Sequence, residues 1–183
     1  MGNSMSDAIL NALSQVVLFF QKYRIPYALI GAMALNMFGR PRTTLDIDFL
    51  VLLDEKDLAN IKNKTASKNI LIDEEWVKNN PMLAKSHVRF NIDEIAIDFM
   101  LPRDDHDKQV LKRRQKKKIH NKMIWIITPE DLILQKLKVG RPRDFEDALT
   151  VLERLSKKLD VPYLEGWAKR LGISNELDYI QNL

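Results

Sequence analysis

Cysteine is absent from the 183 residues, which removes disulfides, a cysteine zinc site and thiol catalysis together. Long apolar runs are missing too. Stretches such as Val16–Phe20 fall far short of the ~20 residues a bilayer span needs, so no membrane partner is expected. The chain does not open on a basic stretch followed by an apolar one, so no secretory signal is expected, and a cytoplasmic location is. Met1-Gly2-Asn3-Ser4-Met5-Ser6 matches the N-myristoylation pattern, but that pattern is short and recurs by chance, and Met5 is an alternative start; lipidation is not expected. No internal repeat appears, and no low-complexity segment beyond one basic run. At 45% hydrophobic and 30% charged residues, disordered, collagenous and coiled-coil classes are excluded. A chain of this size can bury roughly 70% of its unfolded surface around one core.

What charge there is sits unevenly. The net charge is +4, yet Lys112, Arg113, Arg114, Lys116, Lys117, Lys118 and Lys122 lie in one stretch without an acid. The rest of the chain is therefore mildly acidic, and the basicity is one local patch. Such a run either tracks a nucleic-acid backbone or is a solvated loop. His87, His106 and His120 lack metal-ligand spacing and are expected at the surface. Trp76, Trp125 and Trp167 are too scattered to form a stacking platform.

Apolar periodicity predicts a first helix from a Ser6 cap to before Pro26, then a short strand Tyr27–Ile30. Gly31–Phe38 reads as a tight turn into a helix that Gly39 ends. Leu45–Leu53 is the strongest strand, followed by a helix from Asp54 to about Lys64 and a weak strand near Ile70–Ile72. Alternation at Val88, Phe90 and Ile92 predicts a half-buried strand, turned at Asp93-Glu94 into Ile95–Leu101. Arg103–Lys118 is expected to begin as a helix and grade into the basic run, before a strand at Met123–Ile127. Thr128-Pro129-Glu130-Asp131 carries a cap, a proline at the first position and acids in the first turn of a helix ending at Gly140. Helices over Asp144–Leu159, Pro162–Leu171 and Asn175–Gln181 complete the chain. The expected fold class is α/β (α+β): a mixed twisted sheet with flanking helices over residues 1–128, and a C-terminal helical segment over 129–183 packed on that core.

The chemistry concentrates in Leu45-Asp46-Ile47-Asp48-Phe49-Leu50-Val51. Side chains alternate along a strand, so Asp46 and Asp48 share one face while Leu45, Ile47, Phe49 and Val51 share the other. The two carboxylates stand ~7 Å apart at Cα and raise each other's pKa. A divalent cation relieves that repulsion, and hard oxygen ligands suit Mg²⁺. Ile95-Ala96-Ile97-Asp98-Phe99 repeats the layout, with Asp98 opposite the apolar face. If the two strands are neighbours in register, three carboxylates can hold two cations ~3.5–4 Å apart. Asp-x-Asp alone is equally at home on a charged, solvated edge strand. Upstream, Ile30-Gly31-Ala32 runs a strand into a helix whose N-terminal N–H groups face an anion.

Ile30-Gly31-Ala32-Met33-Ala34-Leu35, Arg42, Thr43-Thr44-Leu45-Asp46-Ile47-Asp48 and the later Asp98 together resemble the polymerase-beta-like nucleotidyltransferase superfamily. The Arg-Thr-x-Asp-x-Asp phrasing is similar to an uncharacterised prokaryotic branch close to the abortive-infection type IV toxin nucleotidyltransferases. Pro129–Leu137 and Gly140–Asp147 resemble that branch's C-terminal motif, in which a helical lysine precedes an Arg-x-Lys/Arg-Asp-x-x-Asp run. The likeness spans roughly Tyr27 to Leu152. Ala32 departs from the usual Ser or Gly, so a phosphate-donating hydroxyl is missing while the backbone N–H remains.

The resemblance implies a nucleotidyltransferase fold and transfer of an NMP from an NTP to a hydroxyl. It implies that Asp46, Asp48 and Asp98 are catalytic and bind Mg²⁺, two ions, with Mn²⁺ as a substitute. Gly31, Ala32, Arg42, Lys136 and Asp144 would bind the nucleotide, with Arg40, Arg141 and Arg143 as further phosphate candidates and Asp144 and Asp147 orienting Lys136 or Arg42. An RNA acceptor such as tRNA, held by Lys112–Lys122, and an antitoxin partner are the implied associates; a protein or a small molecule are the other acceptors. The competing expectation is a non-catalytic relative that binds nucleotide or RNA.

Overall fold

The computed structural model describes residues 5–53, 61, 70–83 and 86–183. The helix expected from Asp54 to about Lys64 lies outside the described residues, apart from Ile61. Helix α1 (Met5–Tyr23) ends as Arg24 turns to a positive φ of 53°. Strand β1 (Tyr27–Leu29) runs directly into α2 (Gly31–Phe38), and β2 (Asp46–Val51) returns beside β1. After β3 (Leu71–Ile72) and α3 (Glu74–Asn79), β4 (His87–Ile92) and β5 (Ile95–Met100) form the expected hairpin, turned at Asp93 with φ 52°. Helix α3 was not legible in the sequence: it is a six-residue helix started by the Asp73 carboxylate, which accepts from Trp76 N at 2.8 Å.

Seven strands among the described residues make one mixed sheet in the order β3-β4-β5-β2-β1-β7-β6. Strand β2 pairs parallel with β5 and antiparallel with β1, so the middle of the sheet joins two segments about fifty residues apart in the chain. The odd residues of β2 are apolar and fully buried. Phe20 of α1 locks onto that face, its ring 4.6 Å from Tyr27, 5.1 Å from Phe49 and 5.0 Å from Phe99. With that face sealed, alternation turns Asp46, Asp48 and Asp98 to the other.

The basic run departs from expectation. Helix α4 (Asp105–Arg113) stops early, and Gln115–Ile119 forms strand β6, paired antiparallel with β7 (Lys122–Ile126) through a turn at His120, φ 53°. Arg114 ends the helix with extended backbone, and the β7 apolar run offers a free edge that five residues of lysine-rich chain can pair. Lys116 and Lys118 are exposed on this last strand, where charge deters edge-to-edge association. The run is thus neither a loop nor a helical extension.

Helix α5 (Pro129–Val139) forms as expected. Thr128 caps it, accepting from Asp131 N at 3.3 Å, and Gly140 closes it in the left-handed region at φ 73°. Helix α6 (Pro142–Leu155) begins two residues before the expected Asp144 and passes into a 3-10 turn at Ser156–Lys158; α7 (Val161–Leu171) and α8 (Ser174–Gln181) follow. His106 corrects the surface expectation: it is fully buried, with Nε2 3.2 Å from Asp131 Oδ1. Asp131 also accepts from Tyr163 Oη at 2.5 Å and Thr128 Oγ1 at 2.8 Å, which ties α4, α5 and α7 together.

Candidate active site

The parallel register of β2 on β5 sets Asp48 opposite Asp98 and Asp46 opposite Ala96. Oxygens of Asp46, Asp48 and Asp98 lie within 4.8 Å of one another. Asp46 Oδ1 accepts from Thr44 Oγ1, two residues back in the chain. Burial, then the charges of Asp46 and Asp98, push the Asp48 carboxyl up to about 7. Three oxygen ligands that strain against one another are what a hard divalent cation needs, so the residues present fit Mg²⁺ or Mn²⁺.

Gly31 makes this arrangement sterically feasible. Its φ is +63°, and a Cβ there would lie 1.9 Å from Asp48 Oδ2 and 2.7 Å from Asp48 Cγ. Ile30 N donates to Asp48 O at 2.9 Å, which pins the start of α2 against β2. Among the described residues no side chain caps α2, so its first N–H groups, at Gly31 and Ala32, face the same cleft as the carboxylates.

That cleft encloses about 500 Å³. Its far wall is the α5–α6 corner. Lys136, only 7% exposed, places Nζ 2.9 Å from Asp144 Oδ1 and 2.8 Å from Asp147 Oδ2. Arg141 Nε also donates to Asp144 Oδ2 at 2.6 Å. Burial pushes the Asp144 carboxyl up, but Arg141 and Lys136 outweigh it and hold the group below its usual range. Arg42 reaches Asp147 Oδ2 at 3.3 Å. Its loop is clamped by Asn36, whose Oδ1 accepts from Arg42 N at 2.8 Å and whose Nδ2 donates to Arg42 O at 3.0 Å. The structure therefore brings Gly31, Ala32, Arg42, Asp46, Asp48, Asp98, Lys136 and Asp144 around one cleft, with Arg141 and Arg143 on its rim. Arg40 is elsewhere: its backbone N donates to Thr150 Oγ1. A second acidic group, Asp104 with His106 and Asp107, already holds a cation of its own, Lys138 Nζ at 2.7 Å from Asp104 and 3.0 Å from Asp107.

Two residues at the cleft were missed. Arg89 donates to Asp98 through Nε at 2.8 Å and Nη2 at 2.7 Å, and His87 Nε2, expected at the surface, lies 3.0 Å from Asp98 Oδ1. Burial pushes the Asp98 carboxyl up, and the bonds from Arg89 and His87 bring it below its usual range. The signal was present in the alternation of β4. With Val88, Phe90 and Ile92 inward, His87 and Arg89 fall on the face of Asp98, and the hairpin register sets Arg89 opposite it.

Two outcomes follow from this geometry. Gly31→Ala should lower the Tm by roughly 2–8 °C, from a left-handed backbone penalty of about 1–2 kcal/mol, before any displacement of Asp48 is added; an unchanged Tm in thermal denaturation would contradict the close approach. Asp48 keeps its proton in the fold between its unfolded value of 3.8 and about 7, where the unfolded chain has lost it. The native state then binds more protons, so stability falls as pH rises through that window. Asp48→Asn has no proton to lose. With chelator present, its Tm advantage over wild type should grow from pH 4 to pH 8, and a constant difference would remove the repulsion argument.

Comparison with known proteins gives this geometry a family. The curated proteins include no match. Among solved structures, the chain is similar to an antigenic nucleotidyltransferase-like protein from Paracoccidioides brasiliensis, at TM-score 0.53 and 16% identity over 83% of this chain and 77% of the other. It is similar to the antibiotic-resistance factor ANT(2'')-Ia in solution, at TM-score 0.57 and 11% identity over 91% and 95%. It is also similar to the lincosamide antibiotic adenylyltransferase LnuA with lincomycin bound, at TM-score 0.50 and 13% identity over 76% and 95%. These likenesses establish the nucleotidyltransferase fold. The model of the family described as nucleotidyltransferase of unknown function (DUF6036) matches residues 8–181, so the chain belongs to that family.

Proposed function

We propose that the chain is a Mg²⁺-dependent nucleotidyltransferase that moves a nucleoside monophosphate from an NTP to a hydroxyl acceptor. The single observation that carries this reading is the in-register placement of Asp48 and Asp98, with Asp46, beside the uncapped start of α2. In the reaction the acceptor oxygen bonds to the α-phosphorus, the bond from that phosphorus to the bridging oxygen breaks, and pyrophosphate leaves. Divalent cations held by Asp46, Asp48 and Asp98 would supply charge neutralisation for the phosphates and the entering and leaving oxygens. The chain's own groups do the rest. Gly31 and Ala32 N–H groups meet phosphate oxygens, and without a hydroxyl at position 32 the backbone carries that contact alone. Lys136, held by Asp144 and Asp147, and Arg42, held by Asp147 and Asn36, present positive charge to the triphosphate from the opposite wall. Asp98 accepts the proton of the acceptor hydroxyl.

RNA is the acceptor we favour, along Lys112–Lys122. Seven cations in one stretch support this, four of them on or flanking an exposed edge strand. Strand β6 lies three strands from β2, about 14 Å at the usual strand spacing. Gln115 pairs with Ile126 and Ile119 with Lys122, so the run leads away from the strand ends nearest the cleft. An RNA with its 3′ or internal hydroxyl in the cleft would have to follow that edge. A toxin role with an antitoxin partner is the sharper form of this reading and would appear as growth arrest on expression of the chain alone. Ala32 and the engagement of Asp98 by Arg89 favour a second reading, a nucleotide- or RNA-binding relative without transfer activity.

Incubation with α-labelled NTPs, Mg²⁺ and bulk tRNA separates the two. Wild type should label the RNA, and Asp46→Asn should keep its fold and lose roughly a thousandfold or more, as several kcal/mol of metal-borne stabilisation requires. Near wild-type transfer by Asp46→Asn would make the carboxylates structural, and no transfer by wild type to any acceptor would leave the binding reading. Neutralising Lys116, Lys117 and Lys118 should weaken RNA binding and flatten its salt dependence with NTP binding intact; no change in either would point to a small acceptor.

A further inference from the structure

Among the three carboxylates Asp98 is the most buried, at 2% exposure, and among the described contacts the only one gripped on both oxygens. Arg89 meets it as a planar fork, one N–H on each oxygen, which is the strongest common geometry for this pair. His87 adds a third nitrogen at 3.0 Å. Behind both stands Trp76, its ring 4.5 Å from the His87 ring and 5.4 Å from the Arg89 guanidinium carbon. The three side chains form a stack on β4 and α3 that sets the Arg89 positive charge against Asp98. Asp46 and Asp48 have no comparable clamp among the described residues; the Asp46 contact is to a neutral hydroxyl.

A divalent cation shared by all three carboxylates would have to approach Asp98 beside a guanidinium already bonded to both its oxygens. Like charges at that spacing in a half-buried cleft repel strongly. A cation lodged on Asp46 and Asp48 alone escapes most of that cost. Resting on the nucleotidyltransferase reading above, we propose that Arg89 is a positioning residue whose guanidinium fills the cation place beside Asp98, so that the free protein takes one divalent ion, on Asp46 and Asp48, and admits a second only when Arg89 leaves. The triphosphate provides the reason to leave, because a guanidinium forks onto phosphate oxygens as well as onto a carboxylate. Arg89 keeps a quarter of its side-chain surface exposed and lines the cleft, so it can turn toward a bound donor without unpacking the core. Asp98 then has one oxygen for the second ion and the other for the acceptor proton at the moment the donor is in place.

The test counts ions in the free protein. Mn²⁺ is titrated into the metal-free chain and the unbound ion is followed by electron paramagnetic resonance. Wild type should bind one Mn²⁺ per chain. Arg89→Gln should bind two, and Arg89→Gln combined with Asp98→Asn should return to one. Arg89→Lys, which keeps the charge, should stay at one. Circular dichroism checks that each variant folds, and the wild-type count needs no variant. Two ions in the free wild type, or one in a folded Arg89→Gln, would overturn the proposal. A wild type that labels RNA yet binds two ions at rest overturns this inference alone. A wild type that binds no Mn²⁺, with or without a nonhydrolysable NTP, overturns the metal-dependent reading and this proposal with it.

Discussion

Three carboxylates facing one another across two parallel strands set the terms for everything near them. The pairing of β2 with β5 is fixed by their buried faces: Phe49 and Phe99 stand opposite one another, and Phe20 packs on both. A slip of one residue would turn every one of these side chains to the wrong face. The core therefore enforces the approach of Asp48 to Asp98, although that approach is electrostatically unfavourable, and burial, with the charges of Asp46 and then Asp98 added, pushes the Asp48 carboxyl up to about 7. Hydrophobic packing holds together a polar arrangement that would not hold itself.

The surroundings divide into groups that answer this strain and groups that leave it open. Asp98 is answered by Arg89 and His87. Asp144 and Asp147 are answered by Lys136, with Arg141 and Arg42 adding to them. Asp104 and Asp107 are answered by Lys138. Asp46 and Asp48 are left facing the cleft, beside the free N–H groups that Gly31 allows to come close. An anion-seeking helix start and a cation-seeking carboxylate pair meet at one place, which is the combination a metal-bound polyphosphate satisfies. The C-terminal helices complete the site, since α5 and α6 supply its opposite wall.

Much of this was legible because the signals were local. The alternation in Asp46–Val51 and Ile95–Met100, the Gly31 turn, and the Thr128-Pro129 start with its Gly140 stop each depend on a few neighbouring residues, and each formed within a residue or two of expectation. What escaped depends on pairing across the fold. Lys-Lys-Lys has no strand propensity of its own, and becomes β6 only because β7 presents an open edge. His106 is polar and sits among acids in sequence, yet is buried because Asp131, twenty-five residues on, accepts from it. Arg89 looked like a solvent-facing residue of a half-buried strand until the hairpin register set it against Asp98. The burial of Lys136 likewise rests on two carboxylates of the next helix rather than on its sequence neighbours.

The central claim is that the cleft of β2, β5 and α2 is where a divalent cation binds. Paramagnetic broadening of amide resonances by substoichiometric Mn²⁺ tests it most directly, because the effect falls off steeply with distance from the ion. The amides of Gly31, Ala32, Asp46, Ile47, Asp48 and Asp98 should fade first, while those of Lys116–Lys118 on β6 persist. Broadening centred on Asp104–Asp107, or spread evenly over the acidic surface, would contradict it.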